Sequence, residues 1–142
     1  MANMMKKIQH ALENRRLRKP KAGHASIVCM RFPFEMPGKP PEPVMKLLDR
    51  YECAVWLGDG ENALFACFSD YCHPDYLSRG RLFAEAAINN PRFEGARVGF
   101  AHGPVLLLPD PERRRMHAFP DGDACGRASW HACSFYPQTE FE

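Results

Sequence analysis

Apolar residues recur along this chain of 142 residues in two patterns, compact runs typical of strands and longer stripes typical of amphipathic helices. The patterns predict helices over residues 3–18, 42–51, 73–90 and 124–133, and strands over residues 25–32, 53–57, 63–68, 96–108 and 116–119. Clusters of glycine and proline separate these segments and predict a loop over 33–43 and a turn over 58–62. We expect the strand over 96–108 to be bent or interrupted at Gly103 and Pro104.

The order of these segments predicts the fold class. From residue 25 the chain reads strand, helix, strand, strand, helix, strand, which is typical of an α+β domain with a ferredoxin-like split βαβ (βαββαβ) sheet and both main helices on one face. We expect the hairpin over 53–68 to lie centrally, with strands 25–32 and 96–108 beside it. Six residues are expected to share one apolar layer: Ile27, Val28, Val55, Phe65, Val98 and Phe100.

The strand sequences also predict a binding surface. A sheet with helices on only one side leaves its other face to solvent, to the rest of the chain or to a partner. Consecutive apolar residues at 27–30 and 105–108 are typical of strands that are buried on both faces. We therefore expect the domain to associate with itself or with a partner through that face. The competing expectation is that the helix over 3–18 covers the face within the same chain.

The N-terminal segment is basic and amphipathic. Residues 1–21 carry a net charge of +6, and the rest of the chain carries −4. This asymmetry predicts a basic arm over residues 1–23, followed by an α/β domain over residues 24–142. The positive charges within 6–21 suit nucleic acid or an anionic membrane surface. The segment has no aromatic residue to stack on a base, which favours a solvated helix instead.

Composition excludes several classes of protein. Hydrophobic residues make up 45% of the chain and charged residues 25%, as in a soluble globular domain. No apolar run is long enough to span a bilayer, and no apolar region follows the N-terminal basic residues as in a secretory signal. Six cysteines without an export signal predict reduced, mostly buried thiols in a cytoplasmic protein.

Three segments resemble one known family. Residues 56–60 read WLGDG and precede the apolar run ALFACF, residues 97–105 read RVGFAHGPV, and residues 122–130 read GDACGRASW. In that order they resemble the Gly-Asp-Gly hairpin, the R-V-G-I-H-T-G-P-V strand and the G-D-A-V-N-x-A-S-R segment of the class III adenylyl and guanylyl cyclases. The resemblance covers residues 24–133, and we expect the C-terminal strands of a full cyclase domain to be absent. The chain therefore resembles a degenerate, truncated member of that family.

The resemblance implies a metal site that this sequence does not complete. Two aspartates hold two metal ions in the family, and Asp59 occupies the hairpin position. The position of the other aspartate, on the first strand, falls on Arg31, whose guanidinium cannot ligate a metal ion. Nothing in the sequence places the carboxylates of Glu35, Glu61 or Asp70 opposite Asp59. A structural role in the turn, or an ion pair with Arg31, is the alternative interpretation of Asp59.

The other functional positions of the family are also altered. Its transition-state asparagine and arginine fall on Gly126 and Trp130, and its base-selecting lysine falls on Val55, with the acidic partner near Phe119. Arg127 is the nearest substitute for the lost arginine. The resemblance implies four nucleotide-binding positions: Gly58, Asp59, Gly60 and Asp123.

These changes favour a noncatalytic, cyclase-like domain. The family builds its active sites between two domains, so the resemblance implies a homodimer, or a heterodimer with a cyclase-like or regulatory protein, in cyclic-nucleotide signalling. We expect no cofactor. One alternative is an active minimal cyclase or nucleotidyltransferase that binds Mg²⁺ or Mn²⁺ through Asp59 and uses Arg127 for catalysis. The other is a nucleotide- or nucleic-acid-binding module that uses the basic arm.

Overall fold

The computed structural model describes residues 20–36, 38–93, 95–110 and 115–132. These residues form the strands and α-helices β1 (Lys21–Arg31), α1 (Glu42–Arg50), β2 (Val55–Gly58), β3 (Ala63–Ser69), α2 (Tyr76–Ile88), β4 (Arg97–Asp110), β5 (Arg115–Asp121) and α3 (Ala124–Ala132). The helix predicted over residues 3–18 lies outside the described residues. Strand β1 begins at Lys21, so residues 21–23, which the sequence assigned to the basic arm, belong to the sheet.

The described strands form one antiparallel sheet in the order β2-β3-β1-β4-β5. The first four strands have the order of a split βαβ unit, which confirms the predicted α+β fold class. The prediction that the hairpin over 53–68 lies centrally is wrong. Helix α1 carries the chain from β1 past one strand position, so β3 fills the gap and β2 lies at the edge. The central strand is β1, in which Ile27 pairs with Cys67 on one side and Ala101 on the other.

Strand β4 is longer and more regular than the sequence predicts. It continues through Gly103 and Pro104, which pair with Ala25 and His24 of β1, so the predicted bend or interruption is wrong. Strand β5 pairs with β4 only from Leu106 onward, so Pro104 has a strand neighbour on one side only. Proline is tolerated at such a position because it has no N–H to donate to a second neighbour.

Helices α1 and α2 pack on the same face of the sheet, here called the α1α2 face. Successive strand residues point to opposite faces, so Val28 and Met30 of β1 lie on this side with Leu48 of α1 and Phe83 of α2. Its fully or almost fully buried residues include Val28, Met30, Phe32, Val44, Leu47, Leu48, Leu64, Phe68, Phe83, Val98 and Phe100. This confirms the prediction that both main helices share one face.

Helix α3 packs on the opposite face, here called the α3 face. Ala25, Ile27 and Cys29 of β1 lie there in one cluster with Ala124 and Ala128 of α3. The prediction that six strand residues share one apolar layer is therefore wrong. Val28, Val98 and Phe100 belong to the α1α2 face, whereas Ile27, Val55 and Phe65 belong to the α3 face.

Part of the α3 face is covered by the chain itself. Besides α3, strand β5 contacts β2, although the two strands lie at opposite edges of the sheet. Val55 and Cys67, far from α3 in the strand order, are buried with 8% and 4% of their surface exposed. The premise that this face carries no helix, from which the sequence argued for a partner, is therefore wrong.

Five cysteines lie in the described residues, and all five are free thiols. Cys29, Cys53 and Cys67 are buried in the two clusters of the core, as the sequence predicts. Burial raises the pKa of the Cys53 thiol to about 12, against hydrogen bonds to the Cys67 and Val55 carbonyl groups that lower it. Burial also raises the pKa of Cys67, so Cys53 and Cys67 are neutral packing groups. None of the helices in the described ranges combines the length and apolar character that crossing a bilayer requires.

Candidate functional site

The turn between β2 and β3 is closed by Asp59. One oxygen of its carboxylate accepts hydrogen bonds from the backbone N–H of Glu61 at 2.8 Å and from that of Ala63 at 3.0 Å. The Asp59 N–H donates to the Ala63 carbonyl oxygen at 3.0 Å. Gly60 has a φ of +80°, a backbone conformation that favours glycine. Asp59 therefore performs the structural task in the turn that the sequence allowed as its alternative role.

Arg31 lies near this turn, at the end of β1. Its Nη2 donates a hydrogen bond of 2.8 Å to Ser129 Oγ on α3. Burial acts to raise the pKa of the Asp59 carboxyl, but the Ala63 and Glu61 N–H groups and the positive charge of Arg31 together lower the pKa below its usual range. Arg31 thus connects β1 to α3 by a hydrogen bond and to the β2–β3 hairpin by an electrostatic attraction.

A second arginine reinforces the positive charge at this end of the sheet. Arg31 is directly opposite Arg97 of β4, and paired residues of adjacent strands project from the same face. Arg97 is exposed, whereas Arg31 is half-buried. The first strand therefore presents positive charge at the position where the cyclase resemblance implies a carboxylate.

These residues do not fit a divalent cation. Mg²⁺ and Ca²⁺ sites are built from several oxygen ligands. Within the described parts of the chain, no group of three His, Cys, Asp or Glu side chains is placed to hold a metal ion. Glu35 and Glu61 line a cavity of about 440 Å³ that Asp59 does not line. Asp70 lies near the other end of β1, where its Oδ2 is 3.8 Å from His24 Nδ1. Arg31 would repel a cation beside Asp59.

The outer side of α3 carries the positions of the family's asparagine and arginine. Ala124, Ala128 and Ala132 face the sheet, so Gly126 and Trp130 point away from it. The Trp130 side chain is 77% exposed, the highest exposure among the large apolar residues described. A Cβ atom added to Gly126 would have no neighbour within 4 Å. Neither residue offers a charged or hydrogen-bonding group for a phosphate, apart from the indole N–H.

Arg127 is not brought to Asp59. Its Nη2 donates a hydrogen bond of 2.9 Å to the His102 carbonyl oxygen of β4 and lies 3.6 Å from a carboxylate oxygen of Asp123. Residues two apart on a helix point about 200° apart, so Arg127 and Ser129 leave α3 on opposite flanks. Arg127 and Asp123 therefore form one exposed pair on the β4 flank, away from the group around Arg31.

The position of the family's base-selecting lysine is apolar. Val55 is 8% exposed and packs in the core of the α3 face. The family's acidic partner of that lysine falls near Phe119, which lies in β5, and β5 contacts β2. A valine side chain cannot form a hydrogen bond with the edge of a nucleobase.

Ser129 is the one member of this site to which the sequence assigned no role. It lies within the segment GDACGRASW, where the family pattern drew attention to Gly126 and Trp130 instead. Helical periodicity places Ser129 one turn after Cys125, on the flank of α3 that faces β1 and β3. The four-residue spacing of Cys125 and Ser129 therefore indicates, from the sequence alone, that both side chains lie on the same side of the helix.

Comparison with known proteins identifies the fold. No family model matches the sequence, and no curated protein matches it either. Among solved structures, the chain is similar to the catalytic core of a rhodopsin-guanylyl cyclase with converted specificity, in complex with ATPαS. The TM-score is 0.50 and the identity 16%, over 80% of this chain and 74% of that one. At this identity the likeness shows the fold alone: the chain has a nucleotide-cyclase-like α+β fold.

Proposed function

We propose that this chain is a noncatalytic, cyclase-like domain that acts by associating with a second cyclase-like domain in cyclic-nucleotide signalling. The observation that carries the proposal is the position of Arg31. Its positive charge lowers the pKa of the Asp59 carboxyl, and its Nη2 donates a hydrogen bond to Ser129 on α3. The positive charge of Arg31 thus acts on the Asp59 carboxylate of the hairpin. Cyclisation would need a second carboxylate in its place to hold metal ions.

The chemistry supports this proposal. Joining a 3′-hydroxyl group to an α-phosphate requires activation of the hydroxyl and stabilisation of the charge that develops on the phosphate. Arg31 supplies positive charge, but a guanidinium does not coordinate a hydroxyl group as a metal ion does. Gly126 has no side chain, and the indole of Trp130 carries no charge. Arg127 is held on the other flank of α3 by His102 and Asp123.

The proposal is tested by product analysis. Purified protein incubated with ATP or GTP and either Mg²⁺ or Mn²⁺ is expected to form no cyclic or linked nucleotide. Mass spectrometry of the mixture identifies any such product directly.

The outer side of α3 supports association with a second copy of this chain. Trp130 projects into solvent, and one turn earlier Gly126 leaves open space. The two residues form a knob and a hole on one helix face. Packing across a twofold axis places each knob over the hole of the other copy, because a twofold interface is self-complementary. The Asp123–Arg127 pair adds both signs of charge beside this surface, which also suits a second identical copy.

We expect the protein to dimerise and Trp130→Ser to weaken the dimer roughly 30-fold, since a central tryptophan contributes about 2 kcal/mol or more to an interface. Sedimentation velocity over a concentration series measures the dimer dissociation constants of the parent protein and of Trp130→Ser. Leu82→Ser is the matched control, because Leu82 is 53% exposed on α2, on the other side of the sheet. A monomer at every concentration, or an equal loss in Leu82→Ser, would contradict the proposed surface.

A further inference from the structure

A second concave surface lies between helix α1 and the 3-10 turn Pro91–Phe93, on the face of the sheet opposite to Arg31. The cavity has a volume of about 290 Å³. It is lined by Pro43, Lys46, Leu47, Arg50, Asn90 and Arg92. Its position beside α1 places it on the α1α2 side of the molecule, so it is independent of the proposed function.

The lining is basic. Lys46, Arg50 and Arg92 contribute three positive charges, and none of the described residues that line the cavity is acidic. Lys46 forms an exposed ion pair with Glu42 at 3.2 Å. Within the described residues, no ion pair is formed by Arg50 or Arg92. The cavity is thus lined by two guanidinium groups, and each can bind a phosphate group through two parallel N–H donors.

The two sides of the cavity are anchored in the core. Leu47 of α1 is 5% exposed and Phe93 of the turn is 6% exposed, and both belong to the cluster on the α1α2 face. The Arg92 N–H donates a hydrogen bond of 3.0 Å to Asn90 Oδ1, which fixes the turn that carries Arg92. The Arg50 guanidinium lies 5.8 Å from the centre of the Tyr51 ring. The arginines thus converge from two elements that are distant in sequence and held in place by buried residues.

We infer that this cavity binds a small phosphorylated molecule. Arg50, Arg92 and Lys46 hold the phosphate, and Pro43 and Leu47 offer an apolar wall for the carbon skeleton. The volume of about 290 Å³ lies just below the roughly 300–1,000 Å³ found for ligand pockets, which suits a monophosphate of sugar size better than a large cofactor.

Isothermal titration of the full chain with ribose 5-phosphate, inorganic phosphate and ribose tests this inference. We expect both phosphate compounds to bind and ribose not to bind. Arg50→Gln and Arg92→Gln are each expected to weaken binding roughly tenfold or more, because each removes a charge-assisted pair of hydrogen bonds. Lys39→Gln is the matched control, since Lys39 is exposed and does not line the cavity.

The alternative outcomes are distinguishable. Absence of phosphate binding overturns the inference, and so does equal weakening by Lys39→Gln, which would indicate attraction by the overall charge. Ribose that binds as tightly as ribose 5-phosphate would also overturn it. None of these outcomes bears on nucleotide turnover or on dimerisation through α3.

Discussion

Substitution of Gly99 by alanine is expected to destabilise the protein by about 3 kcal/mol, the upper end of the usual cost of overpacking. Gly99 lies on β4 directly beneath α3. A Cβ atom at this position would overlap the Ala128 carbonyl oxygen and would lie 2.6 Å from the Ala132 backbone nitrogen. Both atoms belong to the backbone of α3, so no side-chain rotation relieves the clash. The helix must move away from the sheet, which exposes Ala25, Ile27 and Cys29 of the core.

Chemical denaturation monitored by circular dichroism measures this effect. Gly58→Ala is the matched control, because Gly58 also lies in a strand and its added Cβ atom would meet only the Ala63 carbonyl oxygen, at 4.0 Å. We expect the control to retain the stability of the parent protein. Gly99→Ala with unchanged stability would show that α3 does not pack closely on this face, and the site built from Arg31 and Ser129 would then have no basis.

Replacement of Arg31 by aspartate is expected to increase the affinity of the protein for Mn²⁺. The change replaces a positive charge near Asp59 by a second carboxylate on the same face, and hard divalent cations prefer carboxylate oxygens. We expect the dissociation constant for Mn²⁺ to fall at least ~10-fold, because a guanidinium that repels the ion is replaced by a carboxylate that can ligate it. Electron paramagnetic resonance of free Mn²⁺ measures the binding.

Two further variants separate the causes. Arg31→Gln removes the positive charge without adding a carboxylate, and it is expected to gain little affinity. The double variant Arg31→Asp with Asp59→Asn should lose the affinity that Arg31→Asp gains. If Mn²⁺ binds equally well to the parent protein, Arg31 does not exclude a cation from this face, and the proposed effect of its charge is wrong.

The fold class followed from the order and type of the apolar segments. The hairpin around Asp59 and the helix that buries Val44, Leu47 and Leu48 are local patterns, in which glycine, aspartate and helical spacing act within a few residues. The assignment of strand residues to faces failed. A continuous run such as residues 27–30 has no polar position to mark one face as exposed, because this central strand is buried on both sides.

The candidate site was predictable only in part. Comparison with the family pattern placed Arg31 at the position of the first-strand aspartate and suggested an ion pair with Asp59, because both residues are read directly from the sequence. The contact of Arg31 with Ser129 spans 98 positions and depends on the side of the sheet that α3 covers. Local patterns did not determine that side. The placement of Arg127 on the flank of β4 depends on the same rotation of α3 about its axis.

We propose that this cyclase-like domain does not catalyse cyclisation. This claim is tested most directly by mass spectrometry of ATP and GTP reactions with Mg²⁺ or Mn²⁺, run with the parent protein, with Asp59→Ala and with a blank that lacks protein. We predict that the parent protein and Asp59→Ala both match the blank, with no cyclic or linked nucleotide and no pyrophosphate above it. A cyclic or linked nucleotide that forms with the parent protein and disappears in Asp59→Ala would contradict the claim and would identify an active cyclase or nucleotidyltransferase with rearranged ligands.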